Sequence, residues 1–253
     1  MKILAIDTGN TSAFFTHIDD GKFKKSFRFP TKKLKKLSAL LIKEKFALSN
    51  IHAVVIASVV PEASVLLKRV FSQKIGIKTY IIGKDFEAPI ENKYRDPKQV
   101  GIDRLMNAVA AYSHYQKEAI IIDFGTAITF DIVSRKGEYL GGVIAPGIEI
   151  SLEALYRKTA LLPKITLAHA KNIIGKDTVE SIRVGCSVGI GGLCDRVVTE
   201  IIKRHHLKPM VIATGGYAKF MLKYCTCVHS TDSMLTMKGI FLSYKKFLTN
   251  KNL

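Results

Sequence analysis

Ala119-Ile-Ile-Ile-Asp-Phe-Gly-Thr-Ala-Ile-Thr-Phe-Asp131 decides how this chain folds. The β-branched apolar run Ile120 to Ile122 ends on Asp123, turns through Gly125, and leaves as a second apolar segment, Ile128 to Phe130. That pattern predicts a strand, a tight turn and a strand. The turn gathers an acid, a glycine and a hydroxyl (Asp123, Gly125, Thr126) where a buried strand ends and backbone N–H groups are free, a setting that suits a phosphate and its cation. The N-terminus repeats the design: Ile3 to Ile6 is followed by Asp7, Gly9, Asn10 and Thr11. Two Asp-x-Gly-polar turns after two strands predict duplicated halves that face one site.

Outward from these turns the pattern is that of a mixed α/β protein. Ala13 to Ile18 continues the first strand as a hairpin, Asp19-Asp20-Gly21 signals another, and Lys22 to Phe29 forms the third strand of a meander. Pro30 and Thr31 stop the sheet. Leu34, Leu37, Leu40, Leu41 and Phe46 then recur at helical spacing. Ala53 to Ser58 predicts a strand, Pro61 to Phe71 a helix and Thr79 to Ile82 a short strand, an alternation that means parallel strands with helices packed on them. After a polar loop from Asn92 to Gln99, Gly101-Ile102-Asp103-Arg104 opens a helix, which places Asp103 in a first turn, where a carboxylate is favoured. Asp103 is there either an ordinary first-turn acid or, beside the fixed donors of Arg104, a group that deprotonates a bound hydroxyl.

Beyond the central hairpin, Gly141 to Gly147 (GGVIAPG) allows close backbone approach, and Ile148 to Tyr156 reads as a helix. Thr159 to Leu167 is irregular. Thr178 is the expected N-cap of a long helical stretch to Lys203, with Ser181 at its third position. Gly185, Gly189, Gly191 and Gly192 interrupt that stretch, which a tight helix crossing or a close ligand would explain. Met210 to Ala213 forms a strand running into Thr214-Gly215-Gly216, a seat for a base or ribose, and a stripe from Leu235 to Leu248 closes the chain as an amphipathic helix.

Composition narrows the function. At 253 residues the chain holds one large domain or two modest ones. No apolar run approaches the roughly 18 residues of a membrane helix, and no signal-peptide core precedes Asp7, so no membrane partner and a cytoplasmic location are expected. Cys186, Cys194, Cys225 and Cys227 lack C-x-x-C spacing, and the histidines lack H-x-x-x-H, which argues against zinc. Cys225 and Cys227 read as small buried residues on a strand, and the thiols as reduced. The net charge of +18 comes mostly from scattered lysines. Solvated lysines account for it better than a nucleic-acid partner does. There is no G-x-x-x-x-G-K-[ST] and no G-x-G-x-x-G after a strand, so any ATP site is built from the acidic glycine turns and Mg²⁺.

The order Asp7-Thr-Gly-Asn-Thr11, Gly101-Ile-Asp-Arg104, Asp123-Phe-Gly-Thr-Ala127, Gly141 to Gly147 and Ala213-Thr-Gly-Gly216 resembles type III pantothenate kinases, over Ile3 to about Gly239. The resemblance implies the fold of acetate and sugar kinases, heat-shock chaperones and actin: two similar actin/ribonuclease-H-like α/β domains, here about 1–116 and 117–253, with mixed sheets, flanking helices and ATP in the cleft between them. It implies phosphorylation of the 4′-hydroxyl of pantothenate, the first committed step toward coenzyme A, by Mg-ATP with a monovalent cation, K⁺ or NH4⁺, in a homodimer. Carried over by motif, Ile6, Asp7, Thr8, Gly9, Asn10, Thr11, Ser12 and Ala13 are the phosphate-binding turn and Thr126 a second ATP contact. Asp123 is the cation ligand and Asp103 the proton acceptor. Tyr94, Gly101, Ile102, Asp103, Arg104 and Thr178 form the pantothenate set. Two departures are modest: Asp232-Ser-Met-Leu-Thr-Met-Lys-Gly239 stands where Asp-Pro-x-Leu-Thr-Leu-x-Gly is usual, and Ile128 replaces a common threonine. Two alternative readings of this chain keep the same fold, a binding or regulatory protein with salt-sensitive DNA binding and a kinase of another small hydroxy acid.

Overall fold

The computed structural model describes residues 1–36, 48 and 50–251. Their contacts gather into two units, Met1–His114 with Met234–Leu253, and Tyr115–Ser233.

In the first unit, β1 (Lys2–Thr8), β2 (Ser12–Asp19) and β3 (Lys22–Pro30) form the predicted meander, followed by β4 (Ala53–Ser58) and β5 (Thr79–Ile81). The sheet order is β3-β2-β1-β4-β5, with β2 antiparallel to both β1 and β3, and with β4 parallel to β1 and β5. The β2–β3 turn places Asp20 (φ 46°) and Gly21 (φ 79°) in the left-handed region, the geometry that lets a two-residue loop follow the twist of its strands. Leu4, Ile6, Phe15, Val54 and Ile56 pack on Leu67 and Phe71. Leu67 lies on α1 (Pro61–Lys68), whose Pro61 fits a first helical turn, and Phe71 on the π-helical turn that follows. Burying each such side chain contributes about 1.5–3 kcal/mol. A two-residue strand, β6 (Glu91–Asn92), interrupts the polar loop before α2 (Ile102–Tyr115). The helix expected from Leu34 to Phe46 falls mostly on 37–47, outside the described residues; ahead of it, Thr31–Lys36 is a 3-10 turn.

The second unit repeats this topology. Strands β7 (Ala119–Phe124), β8 (Ala127–Val133) and β9 (Glu138–Pro146) form a meander, and β10 (Met210–Thr214) and β11 (Ser230–Thr231) lie parallel on the far side of β7, in the order β11-β10-β7-β8-β9. Strand for strand, β7 to β11 correspond to β1 to β5, the duplication that the paired turns predict. One face carries Ile120, Ile122, Phe124, Ile128 and Phe130. It packs on α3 (Ile148–Lys158), α4 (Thr178–Val184), α5 (Ile190–His205) and the short α6 (Ala218–Met221) through Ile148, Ile182, Val198 and Met221.

Three local expectations change. The N-cap of α4 is Asp177, whose Oδ1 accepts the Glu180 N–H at 2.8 Å, and Thr178 is the first helical residue. The glycine-broken stretch contains a π-turn, Gly185–Gly189, between α4 and α5. Of its glycines only Gly191 makes a tight crossing, since a Cβ there would stand 2.1 Å from the Tyr224 carbonyl oxygen. Cys225 and Cys227 lie in a loop rather than on a strand, because Asp195 accepts N–H bonds from Thr226 and Cys227 and holds the chain out of the ladder. All four cysteines are free.

The closing helix, α7 (Leu235–Lys251), contacts β1 and β4 of the first unit. Gly239 lets it approach α2 closely: a Cβ at that position would be 2.0 Å from the Met106 carbonyl oxygen. Thr236 donates to Asn107 at 2.8 Å beside it. No helix among the described residues is long and apolar enough to cross a membrane.

Candidate active site

The first Asp-x-Gly turn leaves β1 after Ile6, Asp7 and Thr8. The Gly9 N–H bonds the Ser12 carbonyl at 3.0 Å, closing a loop that exposes Asn10 and Thr11. Ala13, fully buried, anchors its far end. The loop is latched from outside: Thr31 donates its hydroxyl to the Gly9 carbonyl at 2.7 Å and its N–H to the Thr11 carbonyl at 3.0 Å. By sequence alone Thr31 does no more than stop the sheet with Pro30. The Thr8 hydroxyl is buried and has no hydrogen-bond partner among the described residues.

Val59 joins this turn to the head of α2. Its N–H bonds the Thr8 carbonyl at 3.1 Å, and its side chain lies 3.3 Å from where a Cβ on Gly101 would stand. That same Cβ would be 2.5 Å from Asp103 Oδ1, so Gly101 is required for the carboxylate to fold back over the helix start. Asp103 Oδ1 accepts the Arg104 N–H at 2.8 Å. Burial pushes the Asp103 carboxyl above the usual aspartate range, while Arg104, through its N–H and its charge, pulls the other way. Burial prevails. A carboxylate whose charged form is disfavoured by its surroundings is a better proton acceptor than a solvated one. Ile102 is half-buried and Arg104 buried at the same helix start. Tyr94 is held in the preceding loop by its N–H to Asn92 Oδ1 at 3.0 Å. The turn, Gly101, Ile102, Asp103 and Arg104 are thus parts of one local structure.

In the second unit the hairpin turn is held from both sides. The Gly125 N–H bonds the Ala127 carbonyl at 3.1 Å, and the Tyr217 N–H bonds the Phe124 carbonyl at 3.2 Å. A Cβ on Gly147 would be 2.0 Å from the Thr126 carbonyl oxygen, so the glycine at the end of Gly141–Gly147 is what lets α3 begin against the turn. Gly215, at φ 92°, sits over Asp123, and a Cβ there would be 2.3 Å from Asp123 Oδ1. Asp123 therefore occupies a cradle that only glycine leaves open. Its oxygens are the hard donors that a small cation takes. Thr178 lies elsewhere in this unit, in the wall of a cavity of about 970 Å³ lined also by Ser151, Lys158, Lys176 and Ser181.

Comparisons with known proteins identify the family and the fold. The family model for type III pantothenate kinase matches residues 3–200. A type III pantothenate kinase of Persephonella marina is 39% identical over 249 residues, covering 96% of this chain and 98% of the relative. Among solved structures, a Campylobacter jejuni protein described as a candidate Baf family transcriptional activator aligns over 99% of this chain and 100% of its own at a TM-score of 0.62, with 21% identity. A Thermus thermophilus ROK hexokinase aligns over 98% and 100% at 0.52, with 13% identity. These two likenesses establish the fold, a mixed α/β architecture with two sheets flanked by helices. The sequence matches go further, and by them the chain belongs to the type III pantothenate kinase family of enzymes.

Proposed function

We propose that the protein transfers the terminal phosphate of Mg-ATP to the 4′-hydroxyl of pantothenate, the first committed step toward coenzyme A, with Asp103 as general base. The observation that carries this reading is the family match, which spans the acidic glycine turns and the half-buried acid at the head of α2. The exposed loop Asn10–Thr11 and the backbone of Asp7 to Ala13 receive phosphates, with Thr126 as a second nucleotide contact. Asp103 accepts the hydroxyl proton as attack proceeds, and Arg104 balances the substrate's negative charge. Phosphoryl transfer leaves the protein mainly with positioning and charge neutralisation, which these groups supply. Tyr94, Gly101, Ile102 and Thr178 complete the pantothenate set, and Asp123 holds K⁺ or NH4⁺.

The protein acts in the cytoplasm as a homodimer on this reading. Support for the dimer comes from exposed apolar side chains in the second unit, among them Ile144 (63% exposed), Ile150, Tyr156, Val188 and Leu193. Light scattering should return twice the chain mass of 28.1 kDa.

The test is phosphate transfer from Mg-ATP to pantothenate by purified protein, first in potassium buffer and then with potassium replaced by sodium. Product that depends on potassium is expected. Product in both buffers would keep the kinase and remove the cation role of Asp123. No product in either, from protein that is demonstrably folded, would overturn the reading.

A further inference from the structure

The two Asp-x-Gly turns differ in what stands beside the aspartate. In the first unit Asp7 pairs across the sheet with Phe14 on β2 and Ala57 on β4, and Phe14 pairs with Arg28. The Arg28 guanidinium lies 4.4 Å from the centre of the Phe14 ring. In the second unit the corresponding partners of Asp123 are Thr129 on β8 and Thr214 on β10, with Ile144 beyond Thr129. An aromatic ring, a methyl group and an arginine are exchanged for two hydroxyls and an isoleucine.

Thr214 spends its hydroxyl proton on the Asp232 carbonyl at 2.7 Å. Thr129 donates to Asp131 Oδ2 at 3.0 Å. Asp131 is fully buried and also accepts the hydroxyl of the fully buried Tyr139, at 2.8 Å on its other oxygen. Both hydroxyls donate to this carboxyl, one to each of its oxygens. Once its proton is committed to Asp131, the Thr129 oxygen has only lone pairs left to offer. Residues paired directly across antiparallel strands have Cβ atoms about 4.5–5.5 Å apart, which puts this acceptor within reach of an ion on Asp123.

We propose that Thr129 is a second oxygen ligand of the monovalent cation on Asp123, and that Asp131 and Tyr139 are the positioning residues that hold its hydroxyl in the accepting orientation. The proposal rests on the cation role of Asp123 given above. It gives the Asp131 carboxylate a task beyond packing. Groups that orient a metal ligand typically change affinity by about 10–100-fold when removed.

The experiment is a thermal-unfolding titration with potassium chloride, at ionic strength held constant with tetramethylammonium chloride, read without substrate or turnover. Wild-type protein is expected to gain stability with potassium and saturate. Thr129→Val, which keeps the shape and deletes the hydroxyl, should raise the half-saturating potassium concentration at least about tenfold. Thr129→Ser should restore it, and Tyr139→Phe should raise it by less than Thr129→Val does. A wild-type midpoint in folded Thr129→Val would overturn the ligand assignment while leaving Asp123 as the cation site. If wild-type protein shows no potassium-dependent stabilisation at all, the cation role of Asp123 fails and the assignment fails with it. If neither threonine variant folds, Tyr139→Phe decides: an unchanged half-saturation overturns the proposal and a raised one supports it.

Discussion

The two units share a strand order and a turn, yet the turns are held in different ways. The first, Gly9 to Ser12, is one residue longer than Gly125 to Ala127, leaves Asn10 and Thr11 exposed, and is tied by Thr31. The second is wedged between the start of α3 at Gly147 and the loop at Gly215, where no Cβ fits. The longer, latched loop is suited to closing over a phosphate. The shorter, wedged one presents a fixed carboxylate. The two turns of the duplicated fold thus differ in length, in what holds them and in the neighbours beside the aspartate.

The largest test of this division of labour is Asp103→Asn. The first unit should lose its base, and turnover should fall by about 10²–10⁴-fold, measured by product formation, while nucleotide binding survives. Because burial raises the Asp103 carboxyl, the folded state binds this proton more tightly than the unfolded chain does. The stabilising contribution is therefore fully present below the ordinary aspartate range and is lost as pH rises through the raised value. At neutral pH the asparagine variant should unfold at the same temperature as wild type or higher. In wild-type protein kcat/KM should fall on the acid side at a pH above the range of a solvated aspartate. Retention of most activity by the variant would remove Asp103 as base.

Next in size is the contrast between the two aspartates. Asp123→Asn should reduce potassium-stimulated activity about a hundredfold, on the scale of losing one positioned electrostatic group, and should abolish potassium-dependent stabilisation. Asp7→Asn should instead weaken nucleotide binding and keep the potassium response. If both variants lose both properties, measured by nucleotide titration and by potassium titration, the turns are not specialised.

The glycines that follow β10 provide a smaller contrast. Gly215→Ala places a Cβ against Asp123 at a left-handed φ, and should cost about 1–2 kcal/mol from backbone strain alone together with loss of the potassium response. Gly216→Ala meets nothing within 4 Å and should be close to neutral. Equal unfolding midpoints for the two would show that the Asp123 cradle is soft. Smallest is Thr31→Val, which removes the latch on Gly9 and should cost about 1 kcal/mol, with a higher KM for ATP and an unchanged response to potassium.

Much of this was legible in the chain. Strands β1, β4, β7 and β10 announce themselves as β-branched runs ending on Asp, Ser or Gly, because a strand buried on both faces has no polar alternation to offer. Both turns, the helix behind Gly101 and the cluster of Gly101 to Arg104 follow from short-range pattern. The cap of α4 is not legible in sequence because Asp177 and Thr178 are both good caps, and the choice depends on which side chain reaches the Glu180 N–H. The loop at Cys225 to Cys227 is not legible either, because its N–H groups are taken by Asp195, about thirty residues earlier on another element.

By itself the sequence determined the duplicated Asp-x-Gly design, the α/β class, the family and the acid at the head of α2, all of which depend on residues close together along the chain. Only the tertiary structure decided which groups stand beside each aspartate. Thr31 over Gly9, Val59 between Thr8 and Gly101, Gly215 over Asp123, and the row Thr214, Asp123, Thr129 are set by strand register and close backbone approach between distant segments. Cross-strand neighbours are chosen by the pairing of whole strands, and that information resides in no single stretch of sequence.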